Sequence, residues 1–211
     1  MKLTKIITVC STIIVSALLA VSCVKPTGKD VATEQYDYSN KAFVQVVNAS
    51  VNTTRNYVYV DGNAVTGALL AYGGTFPSTP ADFTVTSGVR AFLIRDTLGT
   101  STQPPLSFAE NFEAGKNYSI FMYDTSTAVK QKAVPNNIII PDDTTARLRF
   151  ANFIYNPGIP AGGAPTAYDI FSVKRNANVF TNVQNLDVTE FIPYASLLLD
   201  TFYIRPTGTA T

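Results

Sequence analysis

After residue 40, no stretch of this 211-residue chain sustains a helical period. It is a succession of short β-type runs closed by turn residues, which confines it to all-β architectures. The first run is Ala42-Phe43-Val44-Gln45-Val46-Val47-Asn48. The second, Asn56-Tyr57-Val58-Tyr59-Val60-Asp61, enters a turn at Asp61-Gly62-Asn63 in which glycine takes positive φ. Residues 83–86 lead through Ser87-Gly88 into a strand over 89–95, and residues 106–112 lead through Glu113-Ala114-Gly115-Lys116 into a strand over 117–124. Both pairs are predicted as hairpins. In the last strand Tyr118, Ile120 and Met122 alternate with Ser119, Phe121 and Tyr123. Both faces are apolar or aromatic, so the strand is expected to be central and covered on both sides. Turns at roughly 8–12 residue intervals are the spacing of an antiparallel β-sandwich.

Residues 136–145 read as a linker strand ending in a polar hinge, and past it the pattern restarts. Ala146-Arg147-Leu148-Arg149-Phe150-Ala151-Asn152 echoes residues 42–48. Tyr168-Asp169-Ile170-Phe171 echoes Tyr57-Val58-Tyr59-Val60, and Phe202-Tyr203-Ile204-Arg205 echoes Phe92-Leu93-Ile94-Arg95. The offset is 104 residues for the first echo and 110 for the last, with the net insertion placed in the Pro- and Gly-rich loop 156–165. Two copies of one β-sandwich unit are therefore expected, at 41–135 and 146–211. The second is short. Two further strands follow Ile94-Arg95-Asp96-Thr97, whereas only Gly208-Thr209-Ala210-Thr211 follows Ile204-Arg205-Pro206-Thr207. The second unit is expected to lack a closing hairpin and to be incomplete, exposing an apolar groove with unpaired backbone groups. Continuation of the natural gene past Thr211, cover by the first unit, or a strand from a partner would each relieve this.

The N-terminus carries a different signal. Lys2 and Lys5 precede an almost wholly apolar stretch over 6–21, which ends Ala20-Val21-Ser22-Cys23. Small residues before a cysteine suit a lipoprotein signal peptidase, so residues 1–22 are expected to be cleaved and Cys23 to become a lipid-bearing N-terminus. Residues 23–40 are polar and non-periodic, a flexible tether. Val24 follows the cysteine in place of the aspartate that retains many lipoproteins at the inner membrane. An outer-membrane address is therefore expected, periplasmic or surface-facing.

The run Phe43-Val44-Gln45-Val46-Val47-Asn48-Ala49-Ser50, followed by Tyr57-Val58-Tyr59-Val60-Asp61-Gly62, resembles the opening of the domain of unknown function 4397 family (DUF4397). The likeness covers the first unit well and the second loosely, where Asn152 is followed by Phe153-Ile154 instead of Ala-Ser. It implies tandem immunoglobulin-like antiparallel sandwiches on a secreted or lipid-anchored bacterial protein, and brings no catalytic residue with it. On local chemistry alone, Asn48 and Ser50 are expected to hydrogen-bond nearby backbone at the end of their strand.

Composition narrows the chemistry. Loss of Lys2 and Lys5 with the leader takes the basic residues from 16 to 14 against 15 acidic ones, so there is no basic face for nucleic acid. Cys23 is the one cysteine left after Cys10 departs, which excludes disulfides and Cys-based metal sites. There is no histidine, and neither Gly-x-Ser-x-Gly nor Ser-x-x-Lys occurs. Glu110 with Glu113 and Asp142 with Asp143 are the carboxylate pairs a glycosidase would need, and the second pair offers oxygen ligands for calcium. The first pair flanks a predicted hairpin and the second lies in the hinge, and such residues are usually solvated turn charges. Neither an enzyme nor a cofactor is expected.

Aromatics are the most suggestive feature: 11 Tyr and 13 Phe without a Trp. Most are assigned to cores and cross-strand pairs. Tyr72 and Tyr155, beside Gly- and Pro-rich loops, are the expected exposed, ligand-facing pair. Asp96-Thr97-Leu98 and Asp143-Thr144-Thr145 resemble the Asp-Thr-apolar acceptor of a bacterial O-glycosylation system, which nominates Thr97 and Thr144. The reading is a noncatalytic envelope lipoprotein, held to the membrane by Cys23, that binds a glycan or an envelope protein. A structural spacer or assembly subunit is the alternative, and a carboxylate-based glycosidase ranks last.

Overall fold

In the first strand every second residue is buried, which fixes the inward face of its sheet from the outset. The computed structural model describes residues 37–78, 82–138, 142–155, 167–195 and 199–209. The leader, Cys23, the tether up to residue 36 and the loop 156–165 lie outside the described residues. The strands are β1 (Lys41–Asn48), β2 (Asn56–Val60), β3 (Asn63–Ala64), β4 (Thr75–Phe76), β5 (Phe83–Thr86), β6 (Gly88–Asp96) and β7 (Leu106–Phe112). They continue with β8 (Asn117–Tyr123), β9 (Lys130–Asn136), β10 (Thr145–Leu148), β11 (Tyr168–Ser172), β12 (Ala177–Val183), β13 (Ile192–Ala195) and β14 (Phe202–Pro206). There is no helix among the described residues, and the fold is all-β.

Two sheets build the first half. One has β1 at its centre, with β4 and β5 along one edge and β8 then β9 along the other. The second runs β3-β2-β6-β7. They share one core, to which the first contributes Val44, Val46, Ile120 and Met122 and the second Val58, Phe92, Ile94 and Phe112. Burial of each such side chain stabilises by about 1.5–3 kcal/mol. Phe112 and Tyr118, one from each sheet, meet edge to face at 4.9 Å, and the Tyr118 hydroxyl accepts the Glu113 amide. The Asp61-Gly62 turn forms with both residues at positive φ. The Asp61 carboxylate then ties the turn to the Ala91 amide and to Arg90.

Neither predicted hairpin forms. β5 pairs with β1 while β6 pairs with β2 and β7, so Ser87-Gly88 carries the chain from one sheet to the other. Likewise β7 stays with β6, and β8 crosses over to lie between β1 and β9. Alternation says which face of a strand is buried, but a tight turn between two inward-facing strands serves an arch as well as a hairpin. The expected central position of β8 holds, with five consecutive residues buried. Its pairing with β1 is parallel, from Phe43 opposite Asn117 to Asn48 opposite Met122. The linker strand expected over 136–145 is preceded by a strand that sequence reading missed, β9, whose Pro135 is tolerated because β9 is an edge strand.

The second half repeats several of these pairings. β10 pairs antiparallel with β13, Leu148 opposite Ile192 and Thr145 opposite Ala195, as Val44 lies opposite Phe83 and Lys41 opposite Thr86. β11 lies between β12 and β14, as β2 lies between β3 and β6. Ile204 pairs with Ile170 and Ile94 with Val58, which moves the sequence echo by one residue: Ile170, not Asp169, stands where Val58 does. Burial explains the shift, since Ile170 and Val58 are both core residues.

A carboxylate fastens the far end of this half. Asp200 accepts the Ser172 and Tyr194 hydroxyls and the Lys174 and Thr201 amides. Desolvation raises its pKa, but these hydrogen bonds outweigh that and bring it from 3.8 down to about 2. A group whose pKa is depressed on folding contributes stability above its unfolded value and loses it as the pH falls toward its folded one. The latch is therefore expected to hold above pH 3.8 and to open as the pH falls to about 2. Asp200→Asn should remove that step from an acid titration followed by amide exchange at Lys174 and Thr201; an unchanged titration would refute the assignment.

Candidate functional site

The Asn48-Ala49-Ser50 segment, whose local chemistry drew attention in the sequence, is the foundation of the site through Asn48; the bond expected of the Ser50 side chain is not made among the described residues, and its hydroxyl is buried without a partner. Asn48 is fully buried at the end of β1. Its Nδ2 donates to Thr53 Oγ1 at 2.9 Å and to the Leu70 carbonyl at 3.2 Å, and its Oδ1 accepts the Ser50 amide at 3.0 Å. The Asn48 backbone binds the next loop on both sides, its carbonyl accepting from the Gly73 amide and its amide donating to Gly74. Gly73 sits at φ 79°, where a side chain would be strained. Between these anchor points Tyr72 is held out into solvent, 58% exposed, its own amide bound to the Thr53 carbonyl.

The same lock recurs at Asn152, also fully buried. Its Nδ2 donates to the Val183 carbonyl at 3.0 Å and its Oδ1 accepts the Ile154 amide at 3.3 Å. Its carbonyl accepts the Leu186 amide and its amide donates to Asp187, with Leu186 at φ 68° in the place of Gly73. This lock holds the Ile154 amide, and Tyr155, the next residue, is 41% exposed. One asparagine thus anchors the loop that carries Tyr72, and the other lies three residues before Tyr155.

Tyr72 and Tyr155 line one open groove of about 460 Å³ where the outer face of β1 and β8 meets the second half. Val47, Val51 and Phe121 form one wall, and Phe150, Phe153 and Ile204 belong to the other. Phe153 is stacked on Phe121 at 4.5 Å, which joins the walls at the base. Arg149 reaches Ser119 Oγ and Asn136 Oδ1, and Lys132 Nζ reaches the Leu186 carbonyl, reinforcing that junction with polar contacts. Among the described residues of the lining, the tyrosine hydroxyls are the only polar side-chain groups. A smaller depression of about 270 Å³ lies along the same Phe153–Tyr155 segment, lined also by Asn185 and the Asp124–Lys130 ion pair at 2.8 Å.

Sequence reading missed Phe121, Phe153 and Ile204 as groove residues. The signal was present at Phe121: β8 is apolar on both faces, and its outer face required a cover. Tyr203, 50% exposed on β14, is a further exposed tyrosine that was not foreseen.

The carboxylates are placed apart from the groove lining. Glu110 lies on β7 opposite Arg90, and Glu113 is exposed in the turn beyond it. Asp143 accepts both the amide and the hydroxyl of Thr145, and these bonds lower its pKa. Among the described residues, no three acidic, histidine or cysteine side chains gather where a metal ion could be held. Thr97 and Thr144 are exposed, each directly after an aspartate whose carboxylate accepts the amide two residues on.

Fold and site together define an all-β module with an aromatic-flanked apolar groove on its surface. The chain belongs to the family described as domain of unknown function DUF4397, whose profile matches residues 42–159, more than half of the sequence. That span contains the whole Asn48 lock, Asn152 and both groove tyrosines, while the partners of Asn152 at Val183, Leu186 and Asp187 lie beyond it. No curated protein matches the chain.

Proposed function

We propose that this protein is a noncatalytic envelope lipoprotein, built from two copies of an immunoglobulin-like unit, that binds a partner polypeptide in the groove between Tyr72 and Tyr155. The groove carries the reading: its lining is apolar apart from the tyrosine hydroxyls, which suits apolar side chains. A sugar would present many hydroxyls that such walls leave unpaired. The two-copy reading is supported by the matching strand registers and by the paired locks at Asn48 and Asn152.

Tyr72→Ala combined with Tyr155→Ala removes two exposed rings and should leave Tm unchanged. Binding to apolar peptides on an array should fall tenfold or more. Glycan binding that disappears in the same double variant would overturn the choice of ligand.

The lipid anchor rests on the apolar leader that ends at Cys23. Cys23→Ala should leave an unprocessed precursor, and intact mass of the mature protein should show acyl chains on Cys23. A mature chain starting elsewhere, or an unmodified Cys23, would sink it. Glycans at Thr97 and Thr144 are part of the same proposal, and a mass equal to peptide plus lipid would remove them.

A further inference from the structure

The groove lies at the edge of a strand and not over a face. Phe150 points toward the core side of the segment that prolongs β10, and Ala151 and Phe153 point to its opposite side, yet all three line the groove. Under the two-copy reading, the matching segment of the first half has β8 along this edge. There the Phe43, Ala49 and Val51 amides donate to the Lys116, Met122 and Asp124 carbonyls; the amides at the same positions in the second half are those of Arg147, Phe153 and Tyr155. β1 has strand neighbours on both edges, while β10, among the described residues, has β13 alone. Burial differs accordingly: Ile94 is 0% exposed and its counterpart Ile204 51%, and Ile204 lines the groove.

We infer that the groove takes an extended strand from another polypeptide, hydrogen-bonded parallel to the 147–155 edge. Its chemistry is that of β8: uncharged, with large apolar residues facing both ways. One face meets Phe150 and Ile204, the positions that Val46 and Ile94 hold against Ile120 in the first core. The other meets Val47 and Phe121. Main-chain hydrogen bonds set register and direction, and the apolar walls supply most of the attraction. The inference rests on the groove being the binding site and specifies how its ligand enters.

The probe is a synthetic peptide of residues 116–124, which contains all of β8, added to the full chain. A second version carries backbone N-methyl groups at alternate residues on the pairing edge, with its side chains unchanged. The first is expected to bind one to one, to slow amide exchange at Arg147, Phe153 and Tyr155 at least tenfold, and to lose tenfold or more in affinity on N-methylation. Equal binding of the methylated peptide would overturn strand addition while leaving the groove as a peptide site. Failure of the unmodified peptide, with Tyr72- and Tyr155-dependent binding of other peptides intact, would do the same. Self-association that protects this edge without peptide would make a second copy the occupant and overturn the inference.

Discussion

Phe92→Ala is expected to destabilise the protein by about 3–5 kcal/mol, because it removes a ring packed on all sides and leaves a cavity. Phe92 is 2% exposed, stacks on Phe108 at 5.2 Å and meets Phe112 at 5.6 Å, so two aromatic rings lose a shared partner. The matching residue of the second half, Phe202, is 38% exposed and has Tyr194 as its ring neighbour. Phe202→Ala should therefore cost only about 1 kcal/mol. Urea unfolding of the two variants reads the difference directly. Equal losses would show that the second core is closed in solution, which would also count against an open groove.

Asn48→Ala should cost about 3 kcal/mol, although it removes no apolar surface. It leaves the Leu70 carbonyl, Thr53 Oγ1 and the Ser50 amide without their partner in a site closed to water, and an unsatisfied buried polar group costs about 1–3 kcal/mol. Thr53 Oγ1 retains its bond to the Ser50 carbonyl and the Leu70 carbonyl retains the Asn56 amide, which keeps the total well below the sum of three such losses. The effect should be local as well as global. Amide exchange at Tyr72 and Gly73 should quicken far more than at Phe92, because that loop hangs from Asn48. Uniform acceleration across the first half would contradict the lock.

The Tyr72 loop also explains why a short sequence motif proved informative about the site. Asn48 lies at the end of an alternating strand, so its side chain had to point inward, and a buried amide must find partners. That much follows from residues 42–50. That the partners sit at Leu70 and Thr53, and that they fix an exposed tyrosine, depends on how the chain returns after β2.

The sequence determined the all-β class, the inward face of β1 and β2, the turn at Asp61-Gly62 and the interior place of β8. All of these follow from period-two burial and local backbone preference, which act between near neighbours. It also marked Tyr72 and Tyr155 as exposed, since rings beside Gly- and Pro-rich loops have little to pack against. Only the tertiary structure decided which strands pair. The 83–86 and 106–112 runs each lead into a strand of the opposite sheet, and a turn of a few residues carries no information about its destination. Only the tertiary structure, too, brought Val47 and Phe121 to face Phe150 and Ile204 across a groove. Those residues are separated by up to 157 positions between Val47 and Ile204, and what joins them is the apolar outer face of β1 and β8, which has to be covered by something.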